Sequence, residues 1–113
     1  SAASDVYKRQ VSLHDETNFG GKETSGTALF VYGMAWGVRK GLLDKKEYLP
    51  VLLKAWNAMV QDAVHPNGCL GYVQGTGKEP KDGQPVTYDK IPDFEDYGIG
   101  CFLLAGAEVY KLN

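Results

Sequence analysis

The chain has no run of about 20 apolar residues, the length a membrane-spanning helix requires; its most apolar block, Ala28 to Val38, stops at Arg39-Lys40. A membrane partner is therefore not expected. Basic runs are also missing beyond the pairs Lys8-Arg9, Arg39-Lys40 and Lys45-Lys46. The 12 Lys and Arg face 14 Asp and Glu, so the chain lacks the electrostatic footprint of a nucleic-acid binder. Cysteine is scarce: Cys69 in a turn-like stretch and Cys101 in an apolar run make neither a disulfide framework nor a metal site. Both are expected as free thiols, with Cys101 packed in the interior. No Gly-rich phosphate loop, nucleophile elbow or His-Glu-x-x-His pair occurs. No charged segment leads into an apolar one near Ser1, and the sequence assigns no compartment.

What remains is the composition of a soluble globular domain, 113 residues with 12% aromatics and a net charge of -2. Its organising stretch is Glu23-Thr24-Ser25-Gly26-Thr27 running into Ala28 to Val38, where apolar or small residues point in every direction around a helical turn. A helix without a polar side belongs inside a larger body. It is predicted from about Gly26 or Thr27 to Lys40, with Thr24 or Ser25 as the N-cap, Arg39 and Lys40 at the negative dipole end and Gly41 as the stop. Gly33, Gly37 and Gly41 recur every fourth residue, a stripe that predicts close packing of a neighbouring backbone. Trp36 is expected in the interior of that larger body.

A second helix is predicted from Asp44-Lys45-Lys46-Glu47, a capping box. It is amphipathic: Leu49, Leu52, Leu53, Trp56, Met59, Val60 and Ala63 share one face, and Lys46, Lys54, Asn57, Gln61 and Asp62 lie mainly on the other. Pro50 falls early, where a missing N–H does little harm. His65-Pro66-Asn67-Gly68 makes a turn, Cys69 to Gln74 a short extended piece, and Gly75 to Pro92 a polar loop long enough to suggest function or disorder. A third helix, apolar all round until Glu108, is predicted from near Phe94-Glu95-Asp96 to Tyr110. At the other end, Ser1 to about Gln10 shows no period and reads as a disordered or foreign leader. Val11 to Gly21 reads as a loop, with His14 as an exposed or loop-anchoring imidazole.

Two fully apolar helices beside one amphipathic helix leave the outer faces of the first two uncovered. The chain therefore looks like a piece of something larger. Alternating buried and half-exposed helices suit concentric rings, with loops at one end lining a pocket; a plain bundle is the alternative. The polar residues before the two apolar helices, Glu23, Thr24 and Ser25 at one and Asp93, Glu95 and Asp96 at the other, form the only site-like constellation. Helix N-termini carry free N–H groups and a positive dipole end, which suit an anionic group on a ligand, although ordinary capping uses the same residues. Tyr72 and Gln74 have the chemistry to stack on and hydrogen-bond a sugar, and a packed hairpin explains them equally well.

Several segments together resemble the C-terminal part of the unsaturated uronyl hydrolases of glycoside hydrolase families 88 and 105, most closely the unsaturated rhamnogalacturonyl hydrolases. They are Glu-Thr-Ser-Gly-Thr-Ala-Leu-Phe (23–30), Ala-Trp-Gly-Val-Arg-Lys-Gly-Leu-Leu-Asp (35–44), Tyr-Leu-Pro-Val (48–51), Lys-Ala-Trp (54–56), His-Pro-Asn-Gly-Cys-Leu-Gly-Tyr-Val-Gln (65–74) and Tyr-Gly-Ile-Gly-Cys-Phe-Leu-Leu-Ala-Gly-Ala-Glu-Val-Tyr (97–110). The likeness runs from about Val11 to the end. It implies an all-α fold, an α/α toroid of six helical hairpins of which only the last helices are present. It also implies hydrolysis of lyase-generated oligosaccharides that end in a 4,5-unsaturated uronic acid, with no metal or organic cofactor. The family's catalytic aspartate has no counterpart here, so no residue is expected to be catalytic. Substrate-binding residues are expected at Glu23 and Ser25, at Gln74, and in the loop entering the third helix at Phe94 and Glu95. Phe94 stands where the family's Thr-Glu-x-Tyr-Gly pattern has threonine. The resemblance makes an unsaturated oligosaccharide the partner of the full-length enzyme. A non-catalytic helical interaction or carbohydrate-binding module, self-associating through uncovered helix faces, is the alternative.

Overall fold

The structure, a computed structural model, describes residues 23–73, 86–89 and 96–112. Three helices carry it: α1 (Thr24–Arg39), α2 (Lys45–Asp62) and α3 (Asp96–Tyr110). The expected leader, the loop holding His14, and Gln74, Asp93, Phe94 and Glu95 lie outside the described residues.

Helix α1 is the hub, since α2 and α3 both pack on it and meet each other little. It starts two to three residues earlier than predicted, and its N-cap is Glu23, not Thr24 or Ser25. Serine and threonine are the better caps in general, but here tertiary bonds claim Thr24, and Ser25 donates its hydroxyl to the Glu23 carboxylate. The Thr24 amide donates to the Tyr72 carbonyl at 2.8 Å and its hydroxyl to the Gly71 carbonyl at 2.8 Å. At the other end Gly41 takes a left-handed φ of 77°. The Leu42 amide reaches the Gly37 carbonyl at 2.8 Å and the Gly41 amide the Val38 carbonyl at 3.1 Å, the paired bonds of a Schellman stop. Leu43 then folds back so closely that a Cβ on Gly37 would lie 2.7 Å from its Cδ1.

The return turn brings α2 alongside α1 in the opposite direction. Asp44 caps it, accepting from the Lys46 amide at 3.1 Å. Leu52, Ala55, Met59 and Ala63 are buried, whereas Val60, assigned to the apolar face, is 42% exposed. At 100° per residue Val60 sits well round the helix from Leu52 and Ala55, so the buried strip is narrower than the sequence pattern suggests.

Helix α3 runs parallel to α1. Their last turns are tied by Arg39, whose Nε and Nη2 donate to the two carboxylate oxygens of Glu108 at 2.9 and 3.2 Å. Between the ends, Ala28, Val31, Ala55, Met59 and Ala105 form one cluster and Ala35, Val38 and Leu52 a second. Trp56 of α2 stacks on Phe102 of α3 with ring centroids 4.7 Å apart, and its ring edge lies 2.9 Å from where a Cβ on Gly106 would be.

Neither apolar helix is buried all round. In α1 the buried residues Thr24, Thr27, Ala28, Val31, Ala35 and Val38 occupy one side and Gly37 is covered separately by Leu43, while Leu29, Phe30 and Trp36 are exposed. Trp36 is thus not interior in this chain. Similarly α3 exposes Ile99, Leu103, Leu104 and Tyr110. The reason is geometric: α2 and α3 cover only one side of α1, and α1 covers only one side of α3. The glycine stripe also does not act as one contact line, since nothing lies within 4 Å of a Cβ placed at Gly33 or Gly41. Cys101 is half-buried and Cys69 exposed, and both are free thiols.

No helix among the described residues is long and apolar enough to cross a membrane.

Candidate functional site

The parallel pairing of α1 and α3 brings their two N-termini to the same end of the molecule, together with the segment that follows α2. This brings Glu23, Thr24 and Ser25 near the first described turns of α3. Their hydroxyls then divide by environment. Thr24 and Thr27 are fully buried, and the Thr27 hydroxyl donates to the Glu23 carbonyl at 2.8 Å. Ser25 is half-buried and donates its hydroxyl to the Glu23 carboxylate. The other carboxylate oxygen accepts from the Gly26 amide at 2.7 Å. Glu23 itself is only 6% exposed in this chain. It is a buried cap that also orients a serine.

From α3 come Tyr97 and Cys101, both half-buried. Burial pushes the Tyr97 phenol above its ordinary pKa, and the Glu23 carboxylate adds to the shift. The Cys101 thiol is raised for the same two reasons in the same order. Tyr97 therefore keeps its proton at neutral pH and remains a donor.

The third wall is the segment after α2. Gly68, at φ 90°, closes the predicted turn, with the His65 amide bonded to the Cys69 carbonyl at 2.8 Å and a single bridge between Val64 and Leu70. Residues 86–89 lie across this turn. The His65 ring stacks on Tyr88 at 3.7 Å with planes 10° apart, and its Nε2 is 2.8 Å from the Tyr88 carbonyl. Tyr72 stands tilted beside Tyr88 with centroids 6.0 Å apart. The pairing of His65 with Tyr88 spans 23 residues and has no local signature, so the sequence could show Tyr72 as a sugar-facing residue but not this aromatic cluster.

Of the residues expected to bind substrate, Glu23 and Ser25 are brought together here; Gln74, Phe94 and Glu95 lie outside the described residues. Among the described residues no group of three His, Cys, Asp or Glu side chains is placed to hold a metal ion. Hydroxyl, phenol and carboxylate groups beside tyrosine rings can hydrogen-bond and stack against a sugar. Two helix dipoles pointing the same way favour an anionic substituent on it.

Comparison with known proteins bears on the family of the chain. The model of Glycosyl Hydrolase Family 88 matches residues 7–113. The unsaturated 3S-rhamnoglycuronyl hydrolase of Formosa agariphila is 38% identical over 104 residues, 92% of this chain and 26% of that protein. A protein of the same name from Alteromonas sp. strain LOR is 38% identical over 102 residues, 90% of this chain and 23% of its own length. The chain thus spans about a quarter of the length of these relatives. A solved glycosyl hydrolase family 88 structure from Bacteroides vulgatus superposes with a TM-score of 0.79 at 40% identity, covering 95% of this chain and 29% of the other. A second solved structure, described as a polysaccharide lyase, gives a TM-score of 0.80 at 38% identity, with 98% and 31% covered.

Proposed function

Because the chain belongs to glycosyl hydrolase family 88, we propose that it forms one wall of the sugar pocket in an unsaturated glycuronyl hydrolase, as the C-terminal part of an α/α toroid. The whole enzyme releases a 4,5-unsaturated uronic acid from lyase-generated oligosaccharides, and the names of its relatives favour rhamnoglycuronyl substrates. The chemistry is hydration: a proton adds at C4 and the oxygen of water at C5, the hemiketal opens, and the bond to the next sugar breaks. The proton donor is an aspartate outside this chain. Glu23, Ser25, Gln74, Phe94 and Glu95 serve binding, and Tyr97 lies near Glu23. The observation that carries this reading is the meeting of the α1 and α3 N-termini around the Glu23 and Ser25 pair.

The test has two arms. The 113-residue chain, incubated with a disaccharide ending in 4,5-unsaturated uronic acid, leaves the ultraviolet absorbance of the double bond unchanged; turnover by contaminant-free chain overturns the fragment assignment. In a full-length protein containing this segment, Ser25→Ala raises KM with little change in melting temperature. An unchanged KM removes Ser25 from the pocket.

The exposed apolar sides of α1 and α3 favour a second reading, a non-catalytic module that self-associates or binds carbohydrate. Leu103 at 63% and Leu104 at 51% exposure are its strongest support. A monodisperse dimer with a cooperative melt and no affinity for the unsaturated sugar would select it.

A further inference from the structure

The turn after α2 holds an Asn67-Gly68 pair, and both residues are exposed together with Cys69. Its backbone is well defined. The Gly68 amide donates to the His65 carbonyl at 2.9 Å and the His65 amide to the Cys69 carbonyl at 2.8 Å. The Cys69 amide donates to Oδ1 of Asn67 at 3.1 Å. Asn67 keeps a negative φ, whereas Gly68 sits at φ 90°. This is the pattern of a hairpin loop built on a type I turn followed by a left-handed glycine. It leaves the Asn67 side-chain carbonyl polarised by a backbone donor. The nitrogen that follows belongs to a glycine, which has no side chain to shield it, and nothing lies within 4 Å of a Cβ placed there.

From this we propose that Asn67 is a site of spontaneous deamidation, assisted by the folded turn. The Gly68 nitrogen, on losing its proton, attacks Cγ of Asn67, and the negative charge passes to Oδ1. The bond from Cγ to Nδ2 then breaks, releasing ammonia and leaving a cyclic succinimide. Water opens the ring at either carbonyl, giving aspartate when it adds at Cγ and isoaspartate when it adds at the main-chain carbon. The net change is amide plus water to carboxylate plus ammonium. The Cys69 amide is placed to stabilise the charge on Oδ1, as an oxyanion-hole donor does. One bond opposes the reaction, since the Gly68 amide must leave the His65 carbonyl before its nitrogen attacks. That opening is local: the loop is exposed and the pairing beyond it is a single bridge between Val64 and Leu70, and such segments open far below the free energy of global unfolding. Asn57 is exposed as well, but it lies inside α2 and is followed by Ala58, so the helix ladder holds the next amide. Isoaspartate adds a main-chain carbon and a charge to the loop that begins at His65, whose ring stacks on Tyr88. The proposal is independent of the sugar-binding reading.

The test ages the 113-residue chain in neutral buffer, with its helical circular dichroism followed throughout, and in parallel in urea, and maps both samples by peptide mass. The expected result in buffer is a gain of about 1 Da in the peptide holding Asn67, eluting as an aspartyl and isoaspartyl pair, with the Asn57 peptide unchanged. Cys69→Pro removes the amide donor and is expected to slow the reaction about fivefold in buffer while leaving the rate in urea the same. If Asn67 stays intact in buffer while the urea sample loses its amide, the turn shields the site and the proposal is overturned. Equal rates for the two chains in buffer overturn it too, since the turn then contributes nothing. Should Cys69→Pro lose its helical signal, a semisynthetic chain with a backbone ester in place of the Cys69 amide removes the same donor without a ring, and the same comparison of rates decides.

Discussion

Replacing Glu23 tests a carboxylate that is both a cap and an orienting group. Glu23→Ala is expected to lose about 1 kcal/mol of stability, the usual worth of a cap, read as a lower midpoint in urea. Glu23→Gln keeps an acceptor oxygen and should lose less. Glycine positions give a sharper contrast. Gly100 of α3 has nothing within 4 Å of a built Cβ, whereas at Gly98 that atom would lie 2.7 Å from Cγ1 of the buried Val73. Gly100→Ala should stabilise by up to about 1 kcal/mol through helix propensity. Gly98→Ala should destabilise by about 1–3 kcal/mol through overpacking, less that same propensity gain. Equal melting shifts in the two variants would refute the packing. At this scale the sequence was an uneven guide. It marked Glu23 and Ser25 as neighbours of a site, but it could not show that Thr24 is taken by Gly71 and Tyr72, which passes the cap to Glu23. Of the glycines chosen for close approach from their spacing, Gly37 is tightly covered by Leu43, whereas Gly33 and Gly41 are open. Those under pressure, Gly71, Gly98 and Gly106, are defined by long-range contacts that no local spacing reveals.

Among the elements, an ion pair ties the last turns of α1 and α3. The hydrogen bonds from Arg39 hold the Glu108 carboxyl below its ordinary range, outweighing the opposing effect of burial. A carboxyl depressed in the folded state adds stability that is present above its unfolded pKa of about 4.3 and is lost as pH falls through the lower folded value. Thermal melts from pH 7 down to pH 3 should therefore show a decline below about pH 4 that is weaker in Glu108→Gln. An identical pH profile in the two proteins would show that the pair contributes nothing. Helix existence and order were legible because the caps and stops, Asp44, Gly41 and the turn at His65 to Gly68, are local chemistry. The pairing was not, since Arg39 and Glu108 are 69 residues apart and either could have met another partner.

For the molecule as a whole, the apolar sides left open predict association. Ile99, Leu103, Leu104 and Tyr110 of α3 and Leu29, Phe30 and Trp36 of α1 are exposed together, and solvent-facing patches of this kind promote contact between molecules. Sedimentation should show mass rising with concentration, and Leu103→Lys should shift the equilibrium toward monomer; a monomer at all concentrations would argue that these sides tolerate water. The sequence foresaw uncovered faces because three helices cannot enclose two apolar ones; Trp36, expected inside the larger assembly, is 39% exposed in this chain. A different consequence follows from the parallel pairing itself. The hub helix finds its main partner only across the whole of α2 and the loop beyond, so during synthesis α1 leaves the ribosome long before α3 exists. At about 5–20 residues per second, a separation of 69 residues is a wait of roughly 3–14 s. Over that interval Ala28, Val31 and Ala35 have, within this segment, α2 at most to pack on. Nascent chains halted after Asp62 should be captured by chaperones and cut readily by protease, and those extended past Tyr110 should resist.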